Sequence, residues 1–156
     1  MEKRIAVFAG SFDPFTIGHE SIARRALPLF DELIIAIGIN SAKKYMYTLE
    51  KRIQWIKETF SDEKKITVDA FEGLTVNYCR SKNAKFILRG LRTTADFEFE
   101  KAIAQMNRAL SPEMESIFIL PLPEHSAINS TIIRDIVSNG GDASAFVPKC
   151  VDLKIK

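Results

Sequence analysis

The sequence predicts a single α/β domain, residues 1–156, built on a doubly wound, Rossmann-like sheet of five parallel strands with helices on both faces. Five short apolar runs alternate with longer segments of helical periodicity, as in strand–helix–strand units. The runs are continuously apolar, as expected for parallel strands that are covered on both faces. A length of 156 residues with 46% hydrophobic residues fits one domain with a buried core.

The first two predicted strands cover residues 5–9 and 33–39. A helix over residues 20–30 follows the first strand and has apolar side chains at helical spacing: Ile22, Ala23, Ala26, Leu27 and Phe30. The second strand precedes a helix that Thr48 caps and that has Glu50 in its first turn. The apolar positions of this second helix are Ile53, Trp55, Ile56 and Phe60.

The remaining strands cover residues 66–71, 85–88 and 116–120. They precede helices over residues 74–81, 95–110 and 130–137, the last of which stops at Asn139-Gly140-Gly141. We expect the rings of Phe97, Phe99 and Phe118 to lie in the core and not to form a base-stacking platform. Right-handed crossovers between consecutive strands complete the doubly wound sheet.

Composition and charge narrow the range of functions. A net charge of +2 without a basic stripe argues against nucleic acid as a partner. Charged residues interrupt every apolar run well before about 18 positions, so neither a membrane span nor a secretory segment is expected. Cys79 and Cys150 lie far apart without a C-x-x-C pairing and are expected to be free thiols in a reducing cytosol. The sequence therefore predicts a cytoplasmic protein.

The predicted fold also indicates where a ligand would bind. In doubly wound sheets, ligands bind beyond the carboxyl ends of the strands, at the crevice where the strand order reverses. This rule selects the loops at residues 10–19, 40–45, 72–75, 89–94 and 121–130. Nearly all of the polar residues with a plausible chemical role fall in these loops. We therefore expect one ligand site at this edge of the sheet.

The first of these loops has the features of a phosphate site. Thr16-Ile17-Gly18-His19 opens a helix directly after the turn Gly10-Ser11-Phe12-Asp13-Pro14. A helix N-terminus stabilises an anion, glycine allows close approach of the backbone, and histidine can donate a hydrogen bond. Neither G-x-G-x-x-G nor the P-loop pattern G-x-x-x-x-G-K-[ST] occurs, so the site is of a third kind.

Cationic side chains follow the second and fourth strands. Lys43 and Lys44 follow the second strand, and the sequence alone does not decide which of them faces the site. The segment Arg89-Gly90-Leu91-Arg92 resembles a polyphosphate clamp, because guanidinium groups bind phosphate oxygens at two points. Glu100 lies one turn beyond the acidic start of the next helix and can also face the site.

The last loop leads into a helix start that is rich in hydroxyl groups at Ser126, Ser130 and Thr131. Such residues cap a helix, and the exposed N–H groups of the same turn can bind phosphate. No cluster of His, Cys and carboxylate residues has the spacing of a metal site, so no protein-held metal is expected. A Ser-His-Asp hydrolase is disfavoured, because no G-x-S-x-G elbow occurs and the chain has only two histidines.

Together these loops resemble those of the nucleotidyltransferase superfamily with the (T/H)xGH motif. Residues 10–19 have the form GxFDPxTxGH that is shared across the superfamily. Residues 89–100 have the more specific form RGLRxxxDFExE, and Met106-Asn107-Arg108 follows. With Lys43-Lys44, this combination resembles the bacterial phosphopantetheine adenylyltransferase family from residue 3 to residue 148.

The resemblance implies a reaction and an assembly. ATP and 4′-phosphopantetheine would give dephospho-coenzyme A and pyrophosphate, the penultimate step of coenzyme A synthesis, with Mg²⁺ bound together with ATP. The resemblance also implies a homohexamer and inhibition by coenzyme A.

The resemblance assigns roles to individual residues as well. Catalytic roles are implied for Ser11, His19, Lys43 and Arg92. ATP contacts are implied for Ser11, Phe12, His19, Gly90, Leu91, Arg92, Glu100, His125, Ser126, Ala127, Ile128, Asn129, Ser130 and Thr131. Acceptor contacts are implied for Ser11, Lys43, Leu74, Thr75, Arg89 and Asn107. The sequence departs from the family pattern at Ser11, where threonine is common, at His125, where an aromatic residue is frequent, and at Asn129, where serine is frequent.

Three other functions remain open at this point. Another transferase of the superfamily would use nicotinate mononucleotide or a sugar or alcohol phosphate as its acceptor. A nucleotide-binding regulator would bind ATP without releasing pyrophosphate, although the presence of His19, Lys43 and Arg92 argues against it. A nucleic-acid-binding module is disfavoured by the near-neutral charge.

Overall fold

Five parallel strands form the sheet of the computed structural model, which describes residues 1–155. The strands are β1 Ile5–Gly10, β2 Glu32–Ile39, β3 Ile66–Glu72, β4 Phe86–Gly90 and β5 Glu115–Ile119. Their order in the sheet is β3-β2-β1-β4-β5, and every neighbouring pair is parallel. The predicted α/β fold class is thereby confirmed. The order reverses between β1 and β4, which places the expected crevice beyond these two strands.

The predicted strands agree with the observed ones to within two residues at each end, and the largest difference lies in β4. This strand continues through Arg89 and Gly90, which pair with Phe118 and Ile119 of β5. An arginine and a glycine after an apolar run indicate a loop, but pairing with a neighbouring strand keeps their backbone extended. The Arg89 side chain therefore projects from a strand and not from a loop.

Within the described residues, the α-helices are α1 Ile17–Ala26, α2 Leu49–Thr59, α3 Thr75–Ser81, α4 Thr94–Leu110 and α5 Ser130–Ser138. Helix α1 begins three residues earlier than the predicted 20–30, because the Thr16 hydroxyl accepts a hydrogen bond from the backbone N–H of His19. Its α-helical part ends at Ala26, and a 3₁₀ turn over Leu27–Leu29 follows. Thr48 caps α2 as predicted.

The two faces of the sheet are covered by different helices, which explains the continuously apolar strands. On one face, Ala6 and Phe8 of β1 pack in a cluster with residues of α1 and α2. On the other face, Val7 and Ala9 pack with residues of α3. A third cluster joins α2, α5 and the segment near the C-terminus through Tyr47, Trp55, Ile133, Val147 and Val151.

Helix α4 corrects one expectation, because its aromatic side chains do not lie in the core of this chain. Phe97 is 41% exposed and Phe99 is 68% exposed, whereas Phe118 of β5 is half-buried. Glu100 is the buried residue of the helix. Apolar periodicity predicts a helix, but it does not reveal which surface the apolar face meets.

Among residues 1–155, no helix has both the length and the apolar character that crossing a membrane would require.

Candidate active site

A cavity of about 440 Å³ opens at the carboxyl edge of the sheet, beyond β1 and β4. Its wall comes from the loops after β1, β2, β4 and β5, four of the five loops that the topology rule selects. The predicted residues that line it are Ser11, Phe12, His19, Lys43, Arg89, Gly90, Arg92, Glu100, His125, Ile128, Asn129, Ser130 and Thr131. Residues far apart in the sequence are thus brought together around one cavity.

Four predicted contact residues line neither this cavity nor the second cavity described below. Leu91 is buried, and its backbone N–H continues the pairing of β4 with β5. Ser126 and Ala127 are exposed, and the Ser126 hydroxyl donates to a backbone carbonyl of the preceding turn. Leu74 is exposed directly before α3. Ligand contacts of these four residues stay predictions.

His19 lies in the first turn of α1, and its ring is surrounded by aromatic side chains. The centroid of the ring is 5.0 Å from that of Phe12, 5.2 Å from Phe15 and 6.1 Å from Phe8. The backbone N–H of Thr16 donates to Nδ1 of His19 at 3.0 Å, so the proton of the neutral ring is carried by Nε2. The ring is held in one orientation and keeps one N–H donor for a ligand.

The surroundings of His19 keep its imidazole uncharged. Burial, followed by the positive charges of Arg92 and Arg89, lowers the pKa of His19 from 6.5 to about 3. At neutral pH the ring is therefore a hydrogen-bond donor and not a cation. The end of β4 and the start of α1 line the same cavity, which brings these charges close to the ring.

Lys43 is the member of the lysine pair that lines the cavity. Its Nζ donates to Oγ of Ser11 at 3.3 Å, which links the loop after β2 to the loop after β1. Next to Ser11, Phe12 has a φ of 47°, a left-handed conformation that is uncommon for phenylalanine. This turn buries the Phe12 ring against the imidazole of His19, which it supports. The resemblance implied that both residues contact ATP.

Arg89 and Glu100 form an ion pair in the cavity wall, with Nη2 2.6 Å from Oε1. Nη1 of Arg89 also donates to the carbonyl of Ala9 at 2.6 Å. The resemblance assigned Arg89 to the acceptor and Glu100 to ATP as separate contacts, whereas the structure joins the two side chains. Arg92 is less constrained, because it pairs with Asp96 at 3.5 Å in a partly exposed contact.

A second cavity, of about 190 Å³, shares Ala9, Arg89 and Glu100 with the first. The rest of its wall is uncharged and consists of Thr75, Ile87, Ile103, Ala104, Asn107 and Ser116. Thr75 and Asn107 are residues for which the resemblance implies acceptor contacts. The Arg89–Glu100 pair therefore stands between a cation-rich cavity and a neutral one.

The start of α5 forms another part of the wall of the first cavity. The Asn129 side chain caps the helix by accepting from the backbone N–H of Ile132 at 2.9 Å. The Ser130 hydroxyl donates to the carbonyl of Pro14 at 2.8 Å, which holds the helix against the loop after β1. Nδ1 of His125 is buried and has no hydrogen-bond partner among the described residues.

Sequence reasoning missed three polar residues that shape the cavity. Asp13 is buried, and its carboxylate accepts from two backbone N–H groups of the loop after β2 at 2.8 and 2.9 Å. Arg134 lines the cavity and donates to the carbonyl of Asp13 at 2.8 Å. Arg52 is buried and donates to the carbonyl of Ser11 at 2.7 Å. A charged residue between two apolar neighbours, Phe12 and Pro14, is the signal that could have revealed Asp13.

The carboxylates that line the first cavity are each bound by groups of the protein. Asp13 accepts from backbone N–H groups, Asp96 accepts from the backbone N–H of Arg92, and Glu100 binds Arg89. Within residues 1–155, no group of three or more His, Cys, Asp or Glu side chains is arranged to hold a metal ion. The donor set therefore does not fit a metal held by side chains of this chain.

The first cavity combines four cationic side chains with an uncharged imidazole donor and two helix N-termini. The cations are Lys43, Arg89, Arg92 and Arg134. Such a set binds polyphosphate and stabilises the negative charge that develops when a phosphoryl group is transferred.

The sequence matches the cytidylyltransferase-like family over residues 7–136. A phosphopantetheine adenylyltransferase of Flavobacterium psychrophilum is 56% identical over 151 residues, which cover 97% of this chain and 99% of that protein. A phosphopantetheine adenylyltransferase of Leptospira biflexa is 49% identical over 149 residues, covering 96% of this chain and 93% of that protein.

Two solved structures share the fold at 20% sequence identity. A putative nicotinate-nucleotide adenylyltransferase from Vibrio parahaemolyticus has a TM-score of 0.67, covering 95% of this chain and 96% of that one. A bifunctional NMN adenylyltransferase/ADP ribose pyrophosphatase from Francisella tularensis has a TM-score of 0.72 over 94% of this chain. This chain spans 45% of that bifunctional protein. At this identity, the likeness concerns the fold alone.

Proposed function

This chain belongs to the phosphopantetheine adenylyltransferase family, and we propose that it transfers the AMP moiety of ATP to 4′-phosphopantetheine. The products are dephospho-coenzyme A and pyrophosphate, in the biosynthesis of coenzyme A. The observation that carries the proposal is the pair of cavities that share Arg89 and Glu100. The cation-rich cavity suits the phosphates of both substrates, and the neutral cavity suits the uncharged arm of the acceptor.

The reaction is a substitution at the α-phosphorus of ATP. An oxygen of the acceptor phosphate forms the new bond in line with the leaving group. The bond from the α-phosphorus to the oxygen that bridges to the β-phosphate breaks, and pyrophosphate leaves with the bonding electrons. The acceptor phosphate is already an anion, so the reaction requires neither a general base nor a covalent enzyme intermediate.

Lys43 and Ser11 hold the acceptor phosphate in this proposal, because their side chains meet at one wall of the cavity. The ammonium group offsets the repulsion between two anionic substrates. Arg89, oriented by Glu100, adds donors on the same side. Fixing the two substrates in line contributes on the order of 7–11 kcal/mol to lowering the barrier.

His19 donates from Nε2 to an oxygen of the α-phosphate, where negative charge builds up in the transition state. Its fixed ring and neutral state suit this role, since no reorientation is needed when the charge develops. A single donor aimed at such a charge contributes about 2.7–4 kcal/mol. Arg92 and Arg134, with the N-terminus of α5, bind the outer phosphates of ATP.

In this proposal Mg²⁺ would be held by the phosphates of ATP and not by side chains of this chain. When bound, it neutralises part of the phosphate charge. Because protein groups already bind the carboxylates that line the cavity, we assign no side chain to the ion and no step of the reaction to it.

We further propose a homohexamer in the cytoplasm that coenzyme A inhibits. Phe99, Met106 and Leu110 of α4 are 68%, 63% and 51% exposed, and a second copy of the chain would cover them. Coenzyme A carries both a pantetheine arm and an adenine nucleotide, so it would compete for both cavities. The free thiols of Cys79 and Cys150 fit a reducing compartment.

The proposal is tested by following pyrophosphate release from ATP with different acceptors. We expect turnover with 4′-phosphopantetheine and much slower turnover with nicotinate mononucleotide or glycerol 3-phosphate. Pantetheine without its phosphate is the matched control, because it keeps the arm and lacks the nucleophile. Preference for another acceptor would identify a different transferase, and ATP binding without any pyrophosphate release would identify a regulator.

A further inference from the structure

Lys43 is an exposed residue on the loop after β2, yet its ammonium group lies at a defined point beside Ser11. A lysine side chain has many rotamers, and fixing one of them reduces its conformational entropy. The hydrogen bond from Nζ to the Ser11 hydroxyl, at 3.3 Å, is too long to offset this loss alone. Other contacts must therefore hold the loop and the side chain in place.

The Tyr45 hydroxyl closes the loop that carries Lys43. It accepts a hydrogen bond from the backbone N–H of Asn40 at 3.1 Å and donates to the carbonyl of Gly38 at 3.4 Å. The backbone N–H of Lys43 donates to the carbonyl of Asn40 at 3.0 Å and completes the turn. The tyrosine thus ties the loop back to the end of β2, from which it leaves the sheet.

The Tyr45 ring contacts two cations, one buried and one exposed. The guanidinium carbon of Arg52 lies 4.3 Å from the ring centroid, and Nζ of Lys43 lies 5.5 Å from it. Arg52 is itself immobilised by hydrogen bonds to the carbonyls of Ser11, at 2.7 Å, and Tyr47, at 3.1 Å. The Tyr45 ring therefore packs against Arg52, which also holds Ser11, and Ser11 is the residue beside which the Lys43 ammonium lies.

We propose that Tyr45 is a positioning residue that holds the Lys43 ammonium beside Ser11, so that the acceptor phosphate meets a cation already in place. The assignment of the acceptor phosphate to Lys43 rests on the proposed function. Tyr45 itself does not line either cavity, so it acts through Lys43 and not by touching a substrate.

A double-mutant cycle in the full chain tests whether Tyr45 acts through Lys43. Tyr45→Leu removes the ring contact and the hydroxyl, and we expect kcat/KM for 4′-phosphopantetheine to fall about five- to thirtyfold, mainly through KM. Tyr45→Phe keeps the ring, so the loss should be smaller, about two- to fivefold. In a Lys43→Ala background, Tyr45→Leu should change kcat/KM less than about twofold, because the group it positions is gone.

Tyr78→Phe is the matched control for Tyr45→Phe. The Tyr78 ring also lies 5.5 Å from a lysine ammonium, that of Lys82, and its hydroxyl donates to Asp69 at 2.7 Å, but Lys82, unlike Lys43, lines neither cavity. We expect no change in the KM for either substrate in this variant. If Tyr45→Leu lowers kcat/KM equally in the wild-type and Lys43→Ala backgrounds, Tyr45 has only a structural role and the inference is wrong.

A measurement without substrates separates this inference from the proposed function. Reductive methylation with ¹³C-formaldehyde labels lysines, and the Lys43 methyl signal is the one that Lys43→Arg removes. Because the ammonium lies over the Tyr45 ring, we expect this signal to move in Tyr45→Leu and to stay close to its wild-type position in Tyr45→Phe. An unchanged signal in Tyr45→Leu would overturn the inference, even if the wild-type enzyme proves inactive with 4′-phosphopantetheine.

Discussion

Glu100 binds the guanidinium group of Arg89 at two points, with Oε2 3.0 Å from Nε and Oε1 2.6 Å from Nη2. A third hydrogen bond, from Nη1 to the carbonyl of Ala9, leaves two of the five guanidinium N–H groups for a ligand. Because both side chains line both cavities, the pair orients these two donors where the cation-rich and neutral cavities meet. Glu100 is 8% exposed, so its carboxylate is largely shielded from solvent, whereas the Arg89 side chain is 34% exposed.

Replacing Glu100 with glutamine should therefore weaken the fold as well as the site. We expect Glu100→Gln to lower the free energy of unfolding by about 1–3 kcal/mol, because Arg89 loses a charged hydrogen-bond partner in a shielded position. Urea denaturation measures this change. Glu2→Gln is the matched control, since Glu2 pairs with Lys85 at 2.7 Å but both side chains are exposed. Its effect should stay below about 1 kcal/mol, and equal effects of the two variants would contradict the prediction.

Removal of the His19 imidazole should slow the chemical step more than it weakens ATP binding. We expect His19→Ala to lower kcat by about 10²–10³-fold with little change in the KM for ATP, because the Nε2 donor is used mainly in the transition state. His19→Gln places an amide N–H near the position of Nε2 and should retain more activity than His19→Asn. Steady-state kinetics measures all three variants. Similar kcat values for the wild type and His19→Ala would remove His19 from the mechanism.

The low pKa of His19 predicts a loss of stability on the acid side. Burial and the nearby arginines lower the pKa of His19 to about 3, whereas the unfolded chain takes up this proton near pH 6.5. Between these values the unfolded state binds more protons, so stability is full above pH 6.5 and falls as the pH drops toward 3. Between pH 7 and pH 5, the free energy of unfolding should fall more for the wild type than for His19→Gln. Parallel losses in the two proteins would show that His19 does not cause the effect.

Gly90 lies close to the side chain of Ile22 in the sheet–helix interface. A Cβ at Gly90 would lie 2.5 Å from Cδ1 of Ile22 on α1, which is buried. We expect Gly90→Ala to lower the free energy of unfolding by about 1–3 kcal/mol, since Cδ1 of Ile22 must move away from the new methyl group. Ile22→Val removes the colliding methyl group, so the double variant should be less destabilised than the sum of the two single variants. Additive effects in urea denaturation would show that the alanine is accommodated in another way.

The extent to which the sequence predicts the structure differs between elements. The strands and helices follow from local patterns, because buried parallel strands must be continuously apolar and helices must repeat with their own period. The end of β4 could not be predicted from a local pattern, because Arg89 and Gly90 are extended only through their pairing with β5. The exposure of Phe97 and Phe99 did not follow either, because periodicity is silent about what covers an apolar face.

The candidate site, too, could be predicted from the sequence only in part. Its place beyond β1 and β4 could be predicted, because the carboxyl ends of parallel strands lie at one edge and the strand order reverses there. The choice between Lys43 and Lys44 could not, because it depends on the contact of Lys43 with Ser11, which lies far earlier in the sequence. Arg52 was overlooked for a related reason, since a single arginine in an amphipathic helix gives no sign that it will be buried.

By itself, the sequence determined the alternation of strands and helices, the edge of the sheet at which the candidate site lies and the kind of side chain gathered there. These properties depend on patterns within short segments and on the chirality of strand–helix–strand units. Only the tertiary structure decided that Glu100 orients Arg89, that Arg89 and Arg92 share a cavity with His19, and that Lys43 meets Ser11. Those arrangements arise from contacts between segments distant in the chain, and they exist only once close packing has brought the segments together.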